Sequence, residues 1–212
     1  MNLHSQIVGQ GRPMVILHGF LGMGDNWRSL ALALAQANFQ VHLIDQRNHG
    51  RSFHHADFNY EVLTQDLYQY LRNKGIDRTI ILGHSMGGKT AMKLTTQHPE
   101  LVSHLVIADI GPKAYPPHHQ AILKALLHLE QGRPQSRKQA DSLLAVFIDD
   151  PLIRQFLLKN LYWSKSKQLT LRLNLKALIN NSNEIGAPLT EKGYYAGPTL
   201  FLKGALSDYI MP

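Results

Sequence analysis

The sequence predicts an α/β protein with a mostly parallel sheet, helices on both faces and an inserted helical cap. In the first half of the 212 residues, apolar runs of strand length alternate with stretches of helical periodicity. This alternation is typical of a parallel sheet covered by helices. After Gly111 the strand-like runs stop, and helical periodicity continues alone until one last strand-like run begins at Pro198.

The predicted strands are short, rich in Val, Ile and Leu, and bounded by turn residues. They are "PMVILHG" (13–19), "VHLIDQ" (41–46), "TIILGH" (79–84), "LVIAD" (105–109) and "PTLFLKGA" (198–205). Helical spacing characterises the segments between the first four: "NWRSLALALAQANF", "YEVLTQDLYQYLRNKG" and "GGKTAMKLTTQHPE". Asp25 is placed to cap the first of these helices and Gly75 to end the second.

These patterns divide the chain into three parts. Residues 1–111 form the first part of the sheet core, 112–190 the helical cap, and 191–212 the return to the core with its last visible strand. Four cap stretches are helical in period, with Pro and Gly between them: "QAILKALLHLE", "KQADSLLAVFI", "PLIRQFLLKNL" and "LRLNLKALINN". The pattern predicts one domain with a helical excursion.

Composition indicates an ordinary globular protein, with 44% hydrophobic and 17% charged residues. The chain has no cysteine, which excludes a disulfide framework and a thiolate zinc site. The start "MNLHSQIVGQGRP" lacks a signal pattern and no apolar run reaches membrane-spanning length. We therefore expect a cytoplasmic protein, without a membrane partner, that is a monomer or a weak homo-oligomer.

The net charge of +7 is concentrated in the predicted cap, where residues 112–190 carry eleven basic and five acidic side chains. Aromatic residues are few and scattered, so we expect no nucleic-acid partner. Two interpretations of the basic excess stay open. It is either a solvated face, or a surface that steers anionic substrates such as acyl thioesters that carry phosphates.

The stretch "TIILGHSMGGKTAMKL" (79–94) places a serine where a predicted strand becomes a helix. A serine hydroxyl must be exposed and oriented to act as a nucleophile. A sharp strand-to-helix turn lifts Ser85 clear of the sheet, and Gly83 and Gly87 provide the small neighbours that the turn requires. The helix that starts at Met86 points its N-terminal N–H groups at the same place. Ser85 is therefore the candidate nucleophile.

A second motif, "ILHGFLG" (16–22), follows the first buried strand. Gly19 allows the backbone to turn the N–H of Phe20 inward. Together with the N–H of Met86, it would form an oxyanion hole for a tetrahedral intermediate.

Six stretches carry a resemblance to the α/β-hydrolase superfamily, and closely to its small bacterial YbfF-type esterase branch. They are "LHGFLG", "DQRNHGRS", "ILGHSMGGKTAM", "LVIADIGPKAY", "FLLKNL" and "FLKGALSDYI", in the order of the family. The resemblance implies an α/β-hydrolase fold and a serine esterase. It also implies an acyl-enzyme on Ser85, with a small carboxylic ester or acyl thioester as substrate. It implies no metal and no organic cofactor.

Two aspartates compete for the role of the triad acid. Asp208 follows the last predicted strand, the usual superfamily position, whereas Asp109 follows the strand after the elbow helix. Resemblance to the YbfF-type branch favours Asp109, and both stay open.

The base histidine of the family lies beyond the last strand seen here, and no histidine occupies the matching position, since the twelfth and last is His128. His118 and His119 could overhang the site, but a mobile cap rarely holds the fixed geometry of a base. We expect that the final strand, the base and the closing helix are missing from these 212 residues, which alone would be nearly inactive. The alternative is a non-catalytic ligand-binding module that retains the pocket.

Three aromatic cap residues are candidates for substrate binding, namely Phe147, Phe156 and Trp163. They could line an acyl pocket, or they could pack the cap onto the core.

Overall fold

A computed structural model describes residues 2–117, 119–190 and 193–210. Its main sheet has six strands in the order β1-β3-β2-β4-β5-β8. β1 runs antiparallel to β3, and the other neighbours are parallel. The strands are β1 (Ser5–Val8), β2 (Arg12–Leu17), β3 (Phe39–Ile44), β4 (Thr79–His84), β5 (Val102–Ala108) and β8 (Thr199–Leu202). The mostly parallel α/β sheet predicted from the sequence is confirmed.

Seven α-helices lie in the described part of the chain. They are α1 (Arg28–Gln36), α2 (Tyr60–Asn73), α3 (Met86–Gln97), α4 (Gln120–Gln131), α5 (Arg137–Ala145), α6 (Pro151–Leu158) and α7 (Leu175–Asn180). None of the helices among the described residues combines the length and the apolar character needed to cross a bilayer.

Helices cover both faces of the sheet, because successive apolar side chains of a central strand point to opposite faces. Val15 and Leu17 of β2 pack with buried residues of α2 and α3. Met14 and Ile16 point the other way and pack with Ala31 of α1. The period-two alternation of side chains places consecutive residues of β2 in two different clusters. The central strands are therefore buried on both sides, as their continuous apolar runs predict.

The two predicted helix boundaries have different outcomes. Gly75 ends α2 with φ +63°, and the N–H groups of Gly75 and Ile76 bond to the carbonyls of Arg72 and Leu71, which is the Schellman arrangement. The capping prediction for Asp25 is wrong. Its carboxylate instead accepts a hydrogen bond from Gln6 Nε2 at 2.7 Å, and a 3₁₀ turn over Gly24–Trp27 precedes α1.

The region predicted as the cap contains α4 to α7 and, unlike the prediction, a two-stranded antiparallel hairpin. Its strands are β6 (Leu161–Trp163) and β7 (Leu169–Leu171). These strands of three residues are too short to show a periodicity of their own. Leucines of the hairpin and of α4 pack in one cluster with Phe20 and Met86 of the core. We propose residues 112–190 as the cap, because its apolar side closes over the loop that follows β2.

Candidate active site

Ser85 occupies the turn between β4 and α3 with φ +50° and ψ −116°. Such backbone angles are costly for a residue with a side chain, and they concentrate at functional sites. Serine commonly caps a helix, yet the Ser85 side chain makes no capping bond. The turn is instead held through the backbone, because the Ser85 N–H donates to the Ala108 carbonyl at 3.0 Å. The hydroxyl is therefore left available at the start of a helix.

Glycines on either side of Ser85 allow the backbones to approach closely. A Cβ on Gly83 would lie 2.3 Å from the Gly87 carbonyl oxygen, and one on Gly87 would lie 2.6 Å from the Leu17 carbonyl oxygen. Both contacts are with backbone atoms, so neither position tolerates a larger residue without movement of the main chain. This is the steric requirement of a nucleophile elbow.

The loop after β2 passes directly beside the elbow. A Cβ on Gly19 would lie 3.3 Å from Ser85 Cβ and 2.7 Å from His84 Nδ1. In this loop the N–H groups of Leu21 and Gly22 have acceptors, His49 Nε2 and the Gly19 carbonyl. Met86 is the first residue of α3, where an N–H has no intrahelical acceptor. The N–H donors of Phe20 and Met86 thus lie on two segments that meet at Ser85.

Two buried histidines hold this loop in place. His18 donates from Nδ1 to the Gly19 carbonyl at 2.8 Å and accepts the Gln46 N–H at Nε2. His49 accepts the Leu21 N–H at 3.1 Å and donates to the Arg47 carbonyl. Burial lowers the pKa of His18 to about 4 and that of His49 to about 3. Both rings are therefore neutral near pH 7, with both nitrogens in use.

The two candidate acids lie in different environments. Asp109 follows β5 directly, has φ +57°, and its Oδ1 accepts the Gly204 N–H at 3.1 Å. Its own N–H bonds to the Leu202 carbonyl, so it lies between the ends of β5 and β8. Asp208 is exposed, and no described residue forms a hydrogen bond or ion pair with it. Asp109 follows β5, the neighbour of the strand that leads into Ser85, and Asp208 is a surface residue.

The pocket in front of Ser85 is small, with a volume of about 20 Å³, enough for a single water molecule. Its walls include Tyr60, Tyr115 and Ile185, and His119 lines it as well. The His119 ring packs against Phe20 at 5.0 Å between centroids. No described histidine is hydrogen-bonded to Ser85 Oγ.

His84, the neighbour of Ser85, lines a different pocket of about 230 Å³ that also contains Gly19 and Phe20. Its ring packs against Trp27 at 5.9 Å between centroids. Burial lowers the pKa of His84, and the charge of Asp109 opposes that shift. His84 and Ser85 therefore line two different pockets, although they are neighbours in sequence.

The aromatic residues predicted to bind substrate are not brought together. Phe156 lines the pocket beside His84 and Phe20. Phe147 is 46% exposed and packs its ring against His128, and Trp163 is 55% exposed. Neither is a wall residue of the Ser85 pocket.

The sequence analysis did not identify Asn160 and Lys89, two buried polar residues that contact the site. Asn160 reaches from the cap to donate to the Leu21 carbonyl at 2.9 Å. Lys89 lies one helical turn after Ser85 and bonds to carbonyls of the cap segments. No local pattern marks either residue, because their partners are 139 and up to 98 residues away in sequence.

The fold and the elbow define the class of this protein. The family profile described as the alpha/beta hydrolase fold matches residues 12–144. The chain belongs to the α/β-hydrolase family, as the sequence motifs predicted.

Individual relatives place it near named esterases and lipases. The mouse (Mus musculus) protein "sn-1-specific diacylglycerol lipase ABHD11" is 40% identical over 94% of this chain and 67% of its own length. "Esterase YbfF" of Escherichia coli K12 is 35% identical over 70% of this chain and 58% of its own length. A solved structure titled "Marine microorganism esterase" is 39% identical, with a TM-score of 0.95 over all of this chain and 84% of that one. The chain thus spans about two thirds or less of the length of these two proteins.

Proposed function

We propose that this chain forms the core and cap of a serine hydrolase that cleaves carboxylic esters through an acyl-enzyme on Ser85. The observation that carries the proposal is the state of Ser85. It has a strained backbone at a strand-to-helix turn, a hydroxyl that caps nothing, and a pocket in front of it. The similarity to proteins named esterases and lipases supports the same reaction class.

In the proposed reaction, Ser85 Oγ attacks the acyl carbon of the ester while its proton passes to a base. The negative charge on the former carbonyl oxygen is stabilised by the N–H groups of Phe20 and Met86. The N-terminal end of α3 adds its positive potential at the same position. The alcohol leaves with the proton of the base, and water then releases the acid from Ser85.

We propose Asp109 as the acid that orients the base, in preference to Asp208. Support comes from its place at the end of β5, next to Ser85, and from the Gly204 N–H that fixes its carboxylate. His18 and His49 are unsuitable as the base, because both ring nitrogens of each are already bonded. We propose that the base is a histidine outside the described residues, as the family resemblance implies.

Two features bear on the substrate. The pocket beside Phe20 and Phe156 is more than ten times larger than the one in front of Ser85, and it supports Phe156 as a substrate-binding residue. The basic excess of residues 112–190 favours acyl thioesters with anionic leaving groups as a second substrate class. Small esters remain the first candidate.

A fluorophosphonate probe tests the nucleophile. We expect mass spectrometry to locate the adduct on Ser85 in a form of the protein that contains the proposed base histidine, and expect no labelling of Ser85→Ala in that form. A folded protein of that form that stays unlabelled would favour the non-catalytic ligand-binding alternative.

A second experiment separates the two aspartates on an aryl ester, in a form of the protein that contains the proposed base histidine. Asp109→Asn should lower kcat about 10³–10⁴-fold, the range for loss of a triad acid, whereas Asp208→Asn should leave it within about twofold. Equal losses, or a loss in Asp208→Asn alone, would reject Asp109.

A further inference from the structure

Two chain segments connect the cap to the core, and together they form what we call the neck, residues 111–117 and 185–189. They pair with each other, because the Tyr115 N–H bonds to the Gly186 carbonyl and the Leu189 N–H bonds to the Pro112 carbonyl, both at 2.9 Å. The approach is close, since a Cβ on Gly186 would lie 2.2 Å from the Tyr115 carbonyl oxygen.

The neck also forms much of the wall in front of Ser85. Tyr115, Pro116, Pro117, Ile185 and Gly186 all line that pocket. Because the free volume there is only about 20 Å³, a displacement of the neck by an ångström changes the shape available to an acyl group. The position of the neck therefore matters for the proposed reaction.

A single ammonium group connects both neck segments to the elbow helix. Lys89 is fully buried in α3, and its Nζ donates to the carbonyls of Lys113, Gly186 and Ala187 at 2.9, 3.3 and 2.5 Å. The first carbonyl belongs to the segment that leads into the cap and the other two to the segment that leads out. All three hydrogens of the ammonium are thus matched by three acceptors.

Aromatic rings complete this environment, with no carboxylate among the described partners of Lys89. Its Nζ lies 4.9 Å from the ring centroid of Tyr115 and 5.5 Å from that of Tyr60. Both are pocket residues. Burial lowers the pKa of Lys89 to about 8, so most molecules retain the charge at pH 7. A buried charge that bonds only to backbone carbonyls and ring faces holds those groups in one geometry.

We propose that Lys89 is a positioning residue whose ammonium fixes both neck segments over α3 and so sets the shape of the pocket in front of Ser85. It does not touch the reacting atoms. The part that concerns catalysis rests on the proposed function of Ser85. The part that concerns the neck is independent of it.

The absence of cysteine from the chain allows the ammonium to be removed and restored at one position. Lys89→Cys is alkylated in denaturant with 2-bromoethylamine and refolded, so that a sulfur–carbon bond replaces the carbon–bromine bond and bromide leaves. The product is a lysine analogue with its ammonium. Alkylation with 1-bromopropane gives a neutral side chain of nearly the same length, which is the matched control.

Hydrogen exchange of the Tyr115 and Leu189 amides measures the neck without substrate. We expect exchange at least tenfold faster in Lys89→Met and in the propyl form. Exchange should return to within twofold of wild type in the aminoethyl form. In parallel, and in a protein that contains the proposed base histidine, labelling of Ser85 by fluorophosphonates with short and long alkyl chains should change its chain-length preference at least tenfold in the neutral forms only.

Unchanged neck exchange in a folded neutral form would overturn the proposal, as would equal rescue by propyl and aminoethyl groups. If the propyl form fails to fold while the aminoethyl form folds, the ammonium is required by the whole core and the positioning role is also rejected. If neck exchange responds as expected but Ser85 is never labelled in a protein that contains the proposed base histidine, the neck assignment stands and the proposed hydrolase function fails.

Discussion

The contact between Asn160 and the loop after β2 predicts a variant in which the reactivity of Ser85 falls while the stability of the fold changes little. Asn160 is 1% exposed, and its Nδ2 donates to the Leu21 carbonyl at 2.9 Å and to the Leu157 carbonyl at 3.2 Å. Its Oδ1 is buried with no hydrogen-bond partner among the described residues. Leu21 is thus held from both sides, by His49 at its N–H and by Asn160 at its carbonyl.

The substitution Asn160→Leu preserves the approximate size of the side chain and removes both polar atoms. Leaving the Leu21 carbonyl unpaired costs about 1–3 kcal/mol. Removing the desolvated Oδ1 recovers about 1–3 kcal/mol. We therefore expect the free energy of unfolding to change by no more than about 2 kcal/mol in either direction, which corresponds to about 4–8 °C in Tm for a chain of this length.

Reactivity should fall more, because the Phe20 N–H lies one residue before Leu21. Complete loss of an oxyanion donor costs about 10²–10³ in rate, and a displaced donor should cost about tenfold to a hundredfold. The assay is the rate of fluorophosphonate labelling of Ser85, with thermal unfolding measured on the same samples.

Asn181→Leu is the matched control, since Asn181 Nδ2 also bonds across to the core, at the Ala56 carbonyl 3.0 Å away, but not at this loop. Its labelling rate should stay within about twofold of wild type. The reasoning is refuted if Asn160→Leu is labelled at the wild-type rate, or if both variants lose labelling equally.

Two further predictions concern the buried histidines and the elbow. The pKa values of His18 and His49 are lowered to about 4 and about 3 from 6.5, so the unfolded chain binds more protons than the folded chain below pH 6.5. Stability should therefore fall as pH falls from 6.5 towards 3, by on the order of 3 kcal/mol for each histidine. His49→Gln, which keeps an acceptor and does not titrate, should flatten this slope in acid unfolding; an unchanged slope would contradict the assignment. Gly87→Ala places its Cβ 2.6 Å from the Leu17 carbonyl oxygen and should lower Tm and abolish labelling. Gly75→Ala, where φ is +63° but nothing lies within 4 Å, should cost only about 1–2 kcal/mol of stability and leave labelling intact. A larger loss of stability and labelling in Gly75→Ala than in Gly87→Ala would refute the steric argument.

Local signals explain why the elbow was recognised from sequence. Ser85, Gly83 and Gly87 lie within five residues, and the strand before and the helix after them have strong apolar patterns. The same holds for the Gly75 helix end, which depends on one residue with a left-handed backbone.

Short or long-range features were less accessible to sequence analysis. The β6–β7 hairpin is missing from the sequence-based prediction, because strands of only three residues show no clear pattern. The Asp25 cap was wrongly predicted because the competing partner, Gln6, comes from β1, a strand that has no clear pattern. The proposed preference for Asp109 over Asp208 rests on the surroundings of each carboxylate, which the spacing of residues in the sequence does not specify.

The sequence by itself determined the alternation of strands and helices, the elbow at Ser85 and the family. Each of these depends on backbone geometry over a few residues or on apolar periodicity, which neighbouring residues specify. Only the tertiary structure decided that Asn160 holds the Leu21 carbonyl and that Lys89 joins the elbow helix to both segments of the neck. A buried polar group takes whichever partner the packing brings to it, so its role depends on where distant segments of the chain meet.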